Sequence, residues 1–266
     1  MSRLRAHLAP FLALAVLALL ALTSPVSTSA KPAPQTAQAQ AQANDKDYTA
    51  KILELTTEKF FLTEFIDHLP ASDKVPSPLK VLGHIAGAAD ILDHSADIYK
   101  YMRALDAASD RVSVFTLGPT DEGREMIAVA VSSDENIARL NRLKEIMSKL
   151  ADPRGLKDDE AAKLIAEGVP IYWITGGLHS VECGSPEMMM ELAYRLAVED
   201  SDTIQAIRKN MVILMTPILE VDGWDKAADA YLYKKDHKDK KIQPLPYWGK
   251  YVMHDNNRDD IGMGLQ

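Results

Sequence analysis

The stretch that decides the fold is residues 171–187, which read IYWITGGLHSVECGSPE. Its first five residues are apolar, aromatic or β-branched, and two glycines follow them directly. This pattern predicts a buried strand whose backbone then turns sharply. The hydroxyl of Ser185, followed by proline and glutamate, predicts a capped helix start after the turn. Polar groups placed where a strand's carboxyl end meets a helix are typical of sites in open α/β sheets.

His179 and Glu182 are the candidate metal ligands on this turn. They stand three positions apart, about one helical turn, so the imidazole and the carboxylate can face the same point. Both groups are good Zn²⁺ donors, and a catalytic zinc takes three protein ligands and leaves one position for water. The pair therefore predicts a zinc site whose third ligand lies elsewhere. The alternative is a surface histidine and glutamate that solvate the start of a helix.

At these residues the sequence resembles the M14 family of zinc carboxypeptidases, in which a strand leads into Gly-Gly-x-His-x-x-Glu and then a helix. The resemblance implies an α/β fold, with a mixed central sheet and helices on both faces, and implies that His179 and Glu182 hold Zn²⁺. A second passage, residues 118–124, resembles the Gly-x-Ser/Thr-x-x-Gly-Arg turn that joins the first two strands of the family's catalytic domain. In that reading Arg124 is structural.

A third match to the family is the pair Asn257 and Arg258. In the family, an Asn-Arg pair about this far after the zinc motif grips the free carboxylate of the substrate's last residue. A guanidinium suits this task because its planar fork donates two parallel hydrogen bonds, and an amide adds another donor. The resemblance therefore implies a peptide substrate with a free C-terminal carboxylate. The alternative is a turn-forming loop rich in Asn and Asp, and His254 stays open as an extra ligand or as a partner of one.

The sequence departs from the family pattern in several places. Val181 stands where many members carry an arginine between the two ligands, and residues 220–221 are Glu-Val where the family usually has Asn-Pro. The family's third ligand, a histidine, and its general-base glutamate lie on later segments, for which this sequence has no counterpart. We therefore expect an incomplete catalytic domain, with its general base beyond residue 266 and no activity by itself.

Composition divides the chain into four regions. In residues 1–30, arginines precede an apolar run and small residues follow it, which predicts a secretory signal peptide and a secreted or periplasmic protein. Residues 31–44 are rich in Ala, Gln and Pro, which predicts a flexible low-complexity linker. Residues 45–110 are predicted to form a helical N-terminal region, and residues 111–266 to form the partial zinc carboxypeptidase domain.

Apolar spacing predicts the main elements of these regions. Helical periodicity runs over residues 48–70 and 95–108, and alternation over residues 111–131 predicts a hairpin. The apolar run at residues 211–219 predicts a central strand buried on both faces. The polar, lysine-rich residues 226–241 predict a solvated excursion.

Charge and cysteine content limit the partners. The net charge is −8, which argues against nucleic acid or anionic lipid, so we expect no membrane partner once the signal peptide is removed. Cys183 is the single cysteine, which excludes an intrachain disulfide. Two other functions remain open: a metal-dependent amide hydrolase acting on N-acyl amino acids, and a non-catalytic secreted protein that binds peptides.

Overall fold

The structure, a computed structural model, describes residues 42–241 and 255–259. The predicted signal peptide, most of the predicted linker and His254 lie outside the described residues. The helices are α1 (Lys46–Leu55), α2 (Pro78–Leu82), α3 (Ser95–Ala108), α4 (Asp134–Ala138), α5 (Leu140–Ala151), α6 (Asp158–Glu167), α7 (Gly184–Val198), α8 (Asp202–Asn210) and α9 (Val221–Asp236). The strands are β1 (Val112–Pro119), β2 (Glu125–Val131), β3 (Ile171–Thr175) and β4 (Val212–Thr216). Within the described ranges, no helix is long and apolar enough to cross a bilayer.

The four strands form one mixed sheet in the order β1-β2-β4-β3. β1 and β2 pair as an antiparallel hairpin, with an irregularity between Thr116 and Gly118. β4 pairs antiparallel to β2 and parallel to β3. The predicted hairpin is therefore confirmed, and so is the central position of the strand predicted from residues 211–219.

Helices cover both faces of this sheet, as the predicted fold class requires. Successive side chains of a strand point to opposite faces. Val129 of β2 and Met215 of β4 pack into the larger core with α3 and α7. Ala130 and Val212, on the opposite face, pack with α5 and α6. All four side chains are at most 2% exposed, so both inner strands are buried between two helical layers.

β3 forms as predicted, but the prediction that it is buried is wrong for the described chain. Tyr172 is 62% exposed and Trp173 is 59% exposed. Among the described strands β3 pairs with β4 alone, so no described strand forms backbone hydrogen bonds with its other edge. An apolar composition indicates a strand, whereas burial depends on which neighbours cover it.

The first predicted helix is shorter than its apolar spacing suggested. α1 ends at Leu55, and the hydroxyl of Thr56 donates to the carbonyl of Ile52 at 2.6 Å. Phe60 and Phe65, which continue the spacing, are 73% and 61% exposed. The helical prediction beyond α1 is therefore wrong, because these aromatic side chains find no core to pack against.

The prediction of a solvated excursion over residues 226–241 is also wrong, because helix α9 occupies most of that range. Trp224 and Ala228, four positions apart on one helical face, are both 0% exposed. The indole N–H of Trp224 donates to the carbonyl of Asp93 at 2.9 Å. One buried stripe is enough to fold a lysine-rich helix against the core.

Candidate metal centre

The glycine turn after β3 is fixed against the end of β4. The amide of Gly176 donates to the carbonyl of Thr216 at 2.9 Å, and its own carbonyl accepts from the amide of Leu219 at 2.9 Å. A Cβ on Gly176 would lie 2.7 Å from the carbonyl oxygen of Pro217. Gly177 has a φ of +57°, which favours glycine. The two glycines therefore let the turn approach the neighbouring backbone closely.

Ser185 does not cap the following helix as predicted. α7 begins at Gly184, and no side chain caps its first turn. Instead, the hydroxyl of Ser185 accepts a hydrogen bond from the amide of Gly177 at 3.2 Å. The serine thus ties the helix start back to the glycine turn, which holds the intervening residues 178–183 as a short loop.

His179 and Glu182 meet on this loop. Their side chains contact each other, with the imidazole Nδ1 2.9 Å from Glu182 Oε1. The amide of Glu182 also donates to the carbonyl of His179 at 3.0 Å, which closes the turn. The hydrogen bond to Glu182, followed by one to Asp255, raises the pKa of His179 above its ordinary value. The structure therefore gives the two predicted ligands a common direction.

Asp255 is the site residue that the sequence analysis missed. Its Oδ1 lies 3.1 Å from the imidazole Nε2 of His179, on the opposite side of the ring from Glu182. The side-chain amide of Asn256 donates to the carbonyl of Leu178 at 2.8 Å, which fixes the same segment to the loop. The only available signal was the position of Asp255 two residues before Asn257, and that spacing does not by itself predict a contact with His179.

Asn257 and Arg258 lie in the same segment, in a 3-10 turn. This turn is next to the loop of residues 178–183, which is called the metal loop below because it carries the two candidate ligands. The amide of Asn257 donates to Asp255 Oδ1 at 2.9 Å. Both side chains are exposed, and Arg258 Nη1 donates to the carbonyl of Asn257 at 3.3 Å. The fold thus brings the candidate carboxylate-binding pair to the same region as the candidate zinc ligands.

The donor set of the loop fits zinc. His179 Nδ1 and Glu182 Oε1 are 2.9 Å apart, whereas two donors of one tetrahedral zinc ion lie about 3.4 Å apart, so the two side chains would separate by roughly half an ångström to share an ion. The other ring nitrogen faces a carboxylate, as it does in most metal-bound histidines. Within residues 42–241 and 255–259, no three His, Cys, Asp or Glu side chains are grouped to hold a metal. The described loop therefore offers two candidate donors, one fewer than the three protein ligands of a catalytic zinc site.

Sequence comparison agrees with this geometry. The family model for zinc carboxypeptidases, Peptidase M14, matches residues 98–258, which is more than half of the chain and includes all four candidate site residues. The chain belongs to the zinc carboxypeptidase family. No curated protein sequence matches it.

Solved zinc carboxypeptidases resemble the chain over part of its length. Carboxypeptidase A from Helicoverpa armigera is 16% identical over 54% of this chain and 29% of its own, with a TM-score of 0.37. Thrombin-activatable fibrinolysis inhibitor is 15% identical over 55% of this chain and 31% of its own, with a TM-score of 0.39. The bovine inhibitor, in complex with tick carboxypeptidase inhibitor, is 18% identical over 59% and 38%, with a TM-score of 0.33. The chain thus spans roughly a third of the length of these structures.

Arg124, predicted to be structural, contacts three carboxylates in this zinc carboxypeptidase chain. Its Nη1 donates to Glu122 at 2.7 Å and to Asp222 at 2.8 Å, and its Nε donates to Asp225 at 3.0 Å. Because Asp222 and Asp225 belong to α9, Arg124 links the β1–β2 hairpin to that helix. Glu220, one of the two residues that stand in place of the family's Asn-Pro, caps α9 by accepting from the amide of Gly223 at 3.1 Å.

Proposed function

We propose that the protein is a secreted zinc metallocarboxypeptidase that hydrolyses the last peptide bond of peptides with a free C-terminal carboxylate. In this proposal, His179 and Glu182 bind Zn²⁺, and Asn257 and Arg258 bind the terminal carboxylate. The supporting observation is that Glu182 and Asp255 meet the two ring nitrogens of one histidine, at 2.9 Å and 3.1 Å. A surface pair that merely solvated a helix start would need no second carboxylate from a segment 76 positions away.

Asp255 orients the histidine in this proposal. The hydrogen bond between Nε2 of His179 and Asp255 holds the ring in one rotation, and Zn²⁺ would take the place of the hydrogen that now lies between Nδ1 and Glu182 Oε1. When bound, zinc polarises the scissile carbonyl and lowers the pKa of a coordinated water. The protein's own contribution here is to hold the direction of its imidazole ligand between two carboxylates.

Asn257 and Arg258 position the substrate in this proposal. Asp255 and Asn256 anchor their segment to the metal loop through His179 and the carbonyl of Leu178. A terminal carboxylate held by Arg258 would therefore lie near the loop, which selects the last peptide bond. Positioning of this kind lowers the barrier by several kcal/mol, and by about 7–11 kcal/mol in well-oriented intramolecular reactions. The third ligand and a general base beyond residue 266 stay predictions, and we assign no catalytic base among residues 1–266.

The metal assignment is tested on the native protein by measuring zinc content and zinc affinity. His179→Ala and Glu182→Gln should abolish stoichiometric zinc. Asp255→Asn should weaken zinc binding by about 10- to 100-fold, because an orienting partner has that typical effect. Glu145→Gln, at an exposed carboxylate on α5, is the matched control. Unchanged zinc content and hydrolysis in the first two variants would remove the basis of the proposal.

The substrate assignment is tested with matched peptides that end in a free carboxylate or in an amide. The free peptides should be cut, and Arg258→Met should raise their KM by about tenfold or more, since a charge-assisted hydrogen-bonded pair is lost. Arg154→Met controls for the loss of one charge, because Arg154 is an exposed arginine and is not among the candidate site residues. Equal hydrolysis of amidated peptides would contradict the carboxylate role. Preferential turnover of N-acyl amino acids would instead identify an amide hydrolase. A protein that binds zinc but turns over none of these substrates would be identified as a peptide-binding protein.

Export is the part of the proposal that rests on residues 1–30. The expected result is a protein in the exported fraction whose first residue follows Ala30 or lies close to it. Mass spectrometry of the mature N-terminus measures this, and an intact Met1 in the mature protein would contradict it.

A further inference from the structure

A groove lies along α7, and one end of it is beside the metal loop. Its volume is 790 Å³, within the range of about 300–1,000 Å³ that is usual for ligand sites. Gly184, Met188, Glu191 and Arg195 form its floor. These positions recur every three or four residues and therefore lie on one side of the helix. The groove is thus a trough with a helical floor.

The walls of the groove come from the N-terminal helical region. Ile52 and Leu55 of α1, Phe65, and residues 85–88 and 90–92 line one side. All of them precede residue 98, where the family match begins. One wall of the trough is therefore built by a part of the chain that the zinc carboxypeptidase family model does not include, whereas the floor lies within the matched residues.

One end of the groove lies at the metal loop. Cys183 and Gly184 line that end, and they directly follow the candidate ligand Glu182 in the sequence. From Gly184 to Arg195 the helical floor extends for about 17 Å, at 1.5 Å per residue. An extended peptide rises about 3.4 Å per residue, so about five residues fit along it.

The groove is lined by apolar side chains that remain partly exposed to solvent. Phe65 is 61% exposed, Ile66 and Met188 are each 45% exposed, and Ile91 and Tyr231 are each 38% exposed. All five line the groove. Contiguous exposed apolar side chains around a concave surface mark a binding site. The occupant must therefore carry apolar groups.

The charges of the lining favour a basic occupant over an acidic one. Asp90, Glu187, Glu191 and Glu199 contribute four carboxylates, against the single guanidinium of Arg195. A negatively charged ligand such as a fatty acid would meet this excess of like charge. A lysine or arginine side chain would complement it.

Arg195 adds an observation that favours a peptide over a hydrocarbon chain. Its side chain is 7% exposed, and its Nε and Nη1 are paired with Glu191 and Glu199 at 3.1 and 3.5 Å. Its Nη2 is buried and has no hydrogen-bond partner in the described chain. A buried unpaired donor is costly, so an acceptor from the occupant is favoured. Peptide carbonyls supply such acceptors along their whole length.

We propose that this groove binds the part of the peptide substrate that lies N-terminal to the scissile bond, and that it selects apolar residues accompanied by a basic one. The inference rests on the proposed function, because it places the peptide's C-terminal end at the metal loop. It extends that function by giving the N-terminal region a role in substrate selection.

Binding at the groove is tested with the full chain and a labelled peptide of alternating Leu and Lys that ends in an amide. The amide removes the carboxylate that Arg258 would hold, so fluorescence anisotropy reports the groove alone. Phe65→Ser should weaken binding about tenfold, as expected when the peptide no longer covers one exposed aromatic side chain. Phe60→Ser is the matched control, because Phe60 is 73% exposed and is not among the lining residues. Met188→Lys, which places a cation on the floor, should give a loss like that of Phe65→Ser.

Three outcomes would overturn the inference. The Leu-Lys peptide could bind no better than a Gly-Ser peptide of equal length, Phe65→Ser and Phe60→Ser could weaken binding equally, or a Leu-Glu peptide or a fatty acid could bind more tightly. In the native enzyme, a free-carboxylate substrate with the Leu-Lys segment should have a KM about tenfold below that of its Gly-Ser counterpart, and Phe65→Ser should remove the difference. Groove binding without zinc or hydrolysis would refute the proposed function and leave the groove only as a peptide-binding site, without a scissile bond to place.

Discussion

Gly176 is the residue on which the shape of the metal loop depends most directly. A Cβ there would lie 2.7 Å from the carbonyl oxygen of Pro217 and 3.1 Å from the Cε of Met189. The nearer contact is backbone, which has little freedom to move. Glycine is therefore required by close approach, since the residue's own φ is not in the left-handed region.

Gly176→Ala should lower the free energy of unfolding by about 1–3 kcal/mol, the usual effect of overpacking a tight site. Urea denaturation measures this. Gly184→Ala is the control, because no atom lies within 4 Å of a Cβ at that position in α7. The control should be neutral or stabilising by less than about 1 kcal/mol. Equal effects of the two substitutions would contradict the close-approach argument.

At the scale of elements, Arg124 joins the β1–β2 hairpin to α9. Asp222, its partner at 2.8 Å, has a side chain only 5% exposed and also accepts from the hydroxyl of Thr120 at 2.7 Å. A buried carboxylate that loses its cation keeps its desolvation cost without compensation. The link therefore stabilises the approach of hairpin and helix.

Arg124→Met should lower the free energy of unfolding by about 3 kcal/mol, since it leaves the buried carboxylate of Asp222 without its cation. Arg154→Met is the control: Arg154 pairs with Asp152 at 2.6 Å but its side chain is 87% exposed. Solvent screens such a pair, so the control should change stability little. Thermal denaturation of both variants compares them, and a larger loss in the control would show that burial is not the deciding factor.

Glu187 connects α7 to the N-terminal region through buried hydrogen bonds. Its carboxylate accepts from the amides of Asp93 at 3.1 Å and Gly87 at 3.3 Å. Burial, and then the charge of Asp93, raise the pKa of Glu187 above its ordinary 4.5. Burial likewise raises the pKa of Asp93, although His84, 3.2 Å away, acts in the opposite direction. Two carboxyls at this junction therefore bind protons more tightly when the protein is folded.

A raised carboxyl pKa makes protonation stabilise the folded state. The contribution of Glu187 is fully present below pH 4.5, its unfolded value, and is lost as the pH rises through the folded pKa. The unfolding free energy of the wild type minus that of Glu187→Gln should therefore increase as the pH falls from neutrality towards 4.5. Urea denaturation across this window measures the difference. A difference that decreases as the pH falls would contradict the raised pKa.

At the scale of the whole described molecule, one edge of the sheet is open. β3 has no second neighbour among the described strands, and Ile171, Tyr172 and Trp173 on it are 42%, 62% and 59% exposed. A flat apolar edge with unpaired backbone groups is a template for pairing with another chain. The 266-residue chain should therefore self-associate through β3.

Tyr172→Lys should reduce this self-association, because a charged residue on an edge strand opposes pairing. Size-exclusion chromatography with light scattering over a range of concentrations measures the apparent mass. Tyr233→Lys, at a tyrosine that is 49% exposed on α9, controls for added charge. Equal effects of the two variants would place the association surface elsewhere.

The sequence by itself determined the local features of this protein. Alternation and helical periodicity predicted the hairpin and the bounds of α3, because each backbone conformation imposes its own spacing on apolar side chains. The glycine turn and the positions of His179 and Glu182 were also readable, since a three-residue separation limits how far apart the two side chains lie.

Only the tertiary structure decided which distant segments meet. Asp255 reaches His179 across 76 positions, β3 is exposed although it is apolar, and the lysine-rich α9 folds because Trp224 is buried. The N-terminal region also forms one wall of the groove over α7. These features depend on how the layers pack and on which edges they leave uncovered, and a local spacing pattern contains no information about either.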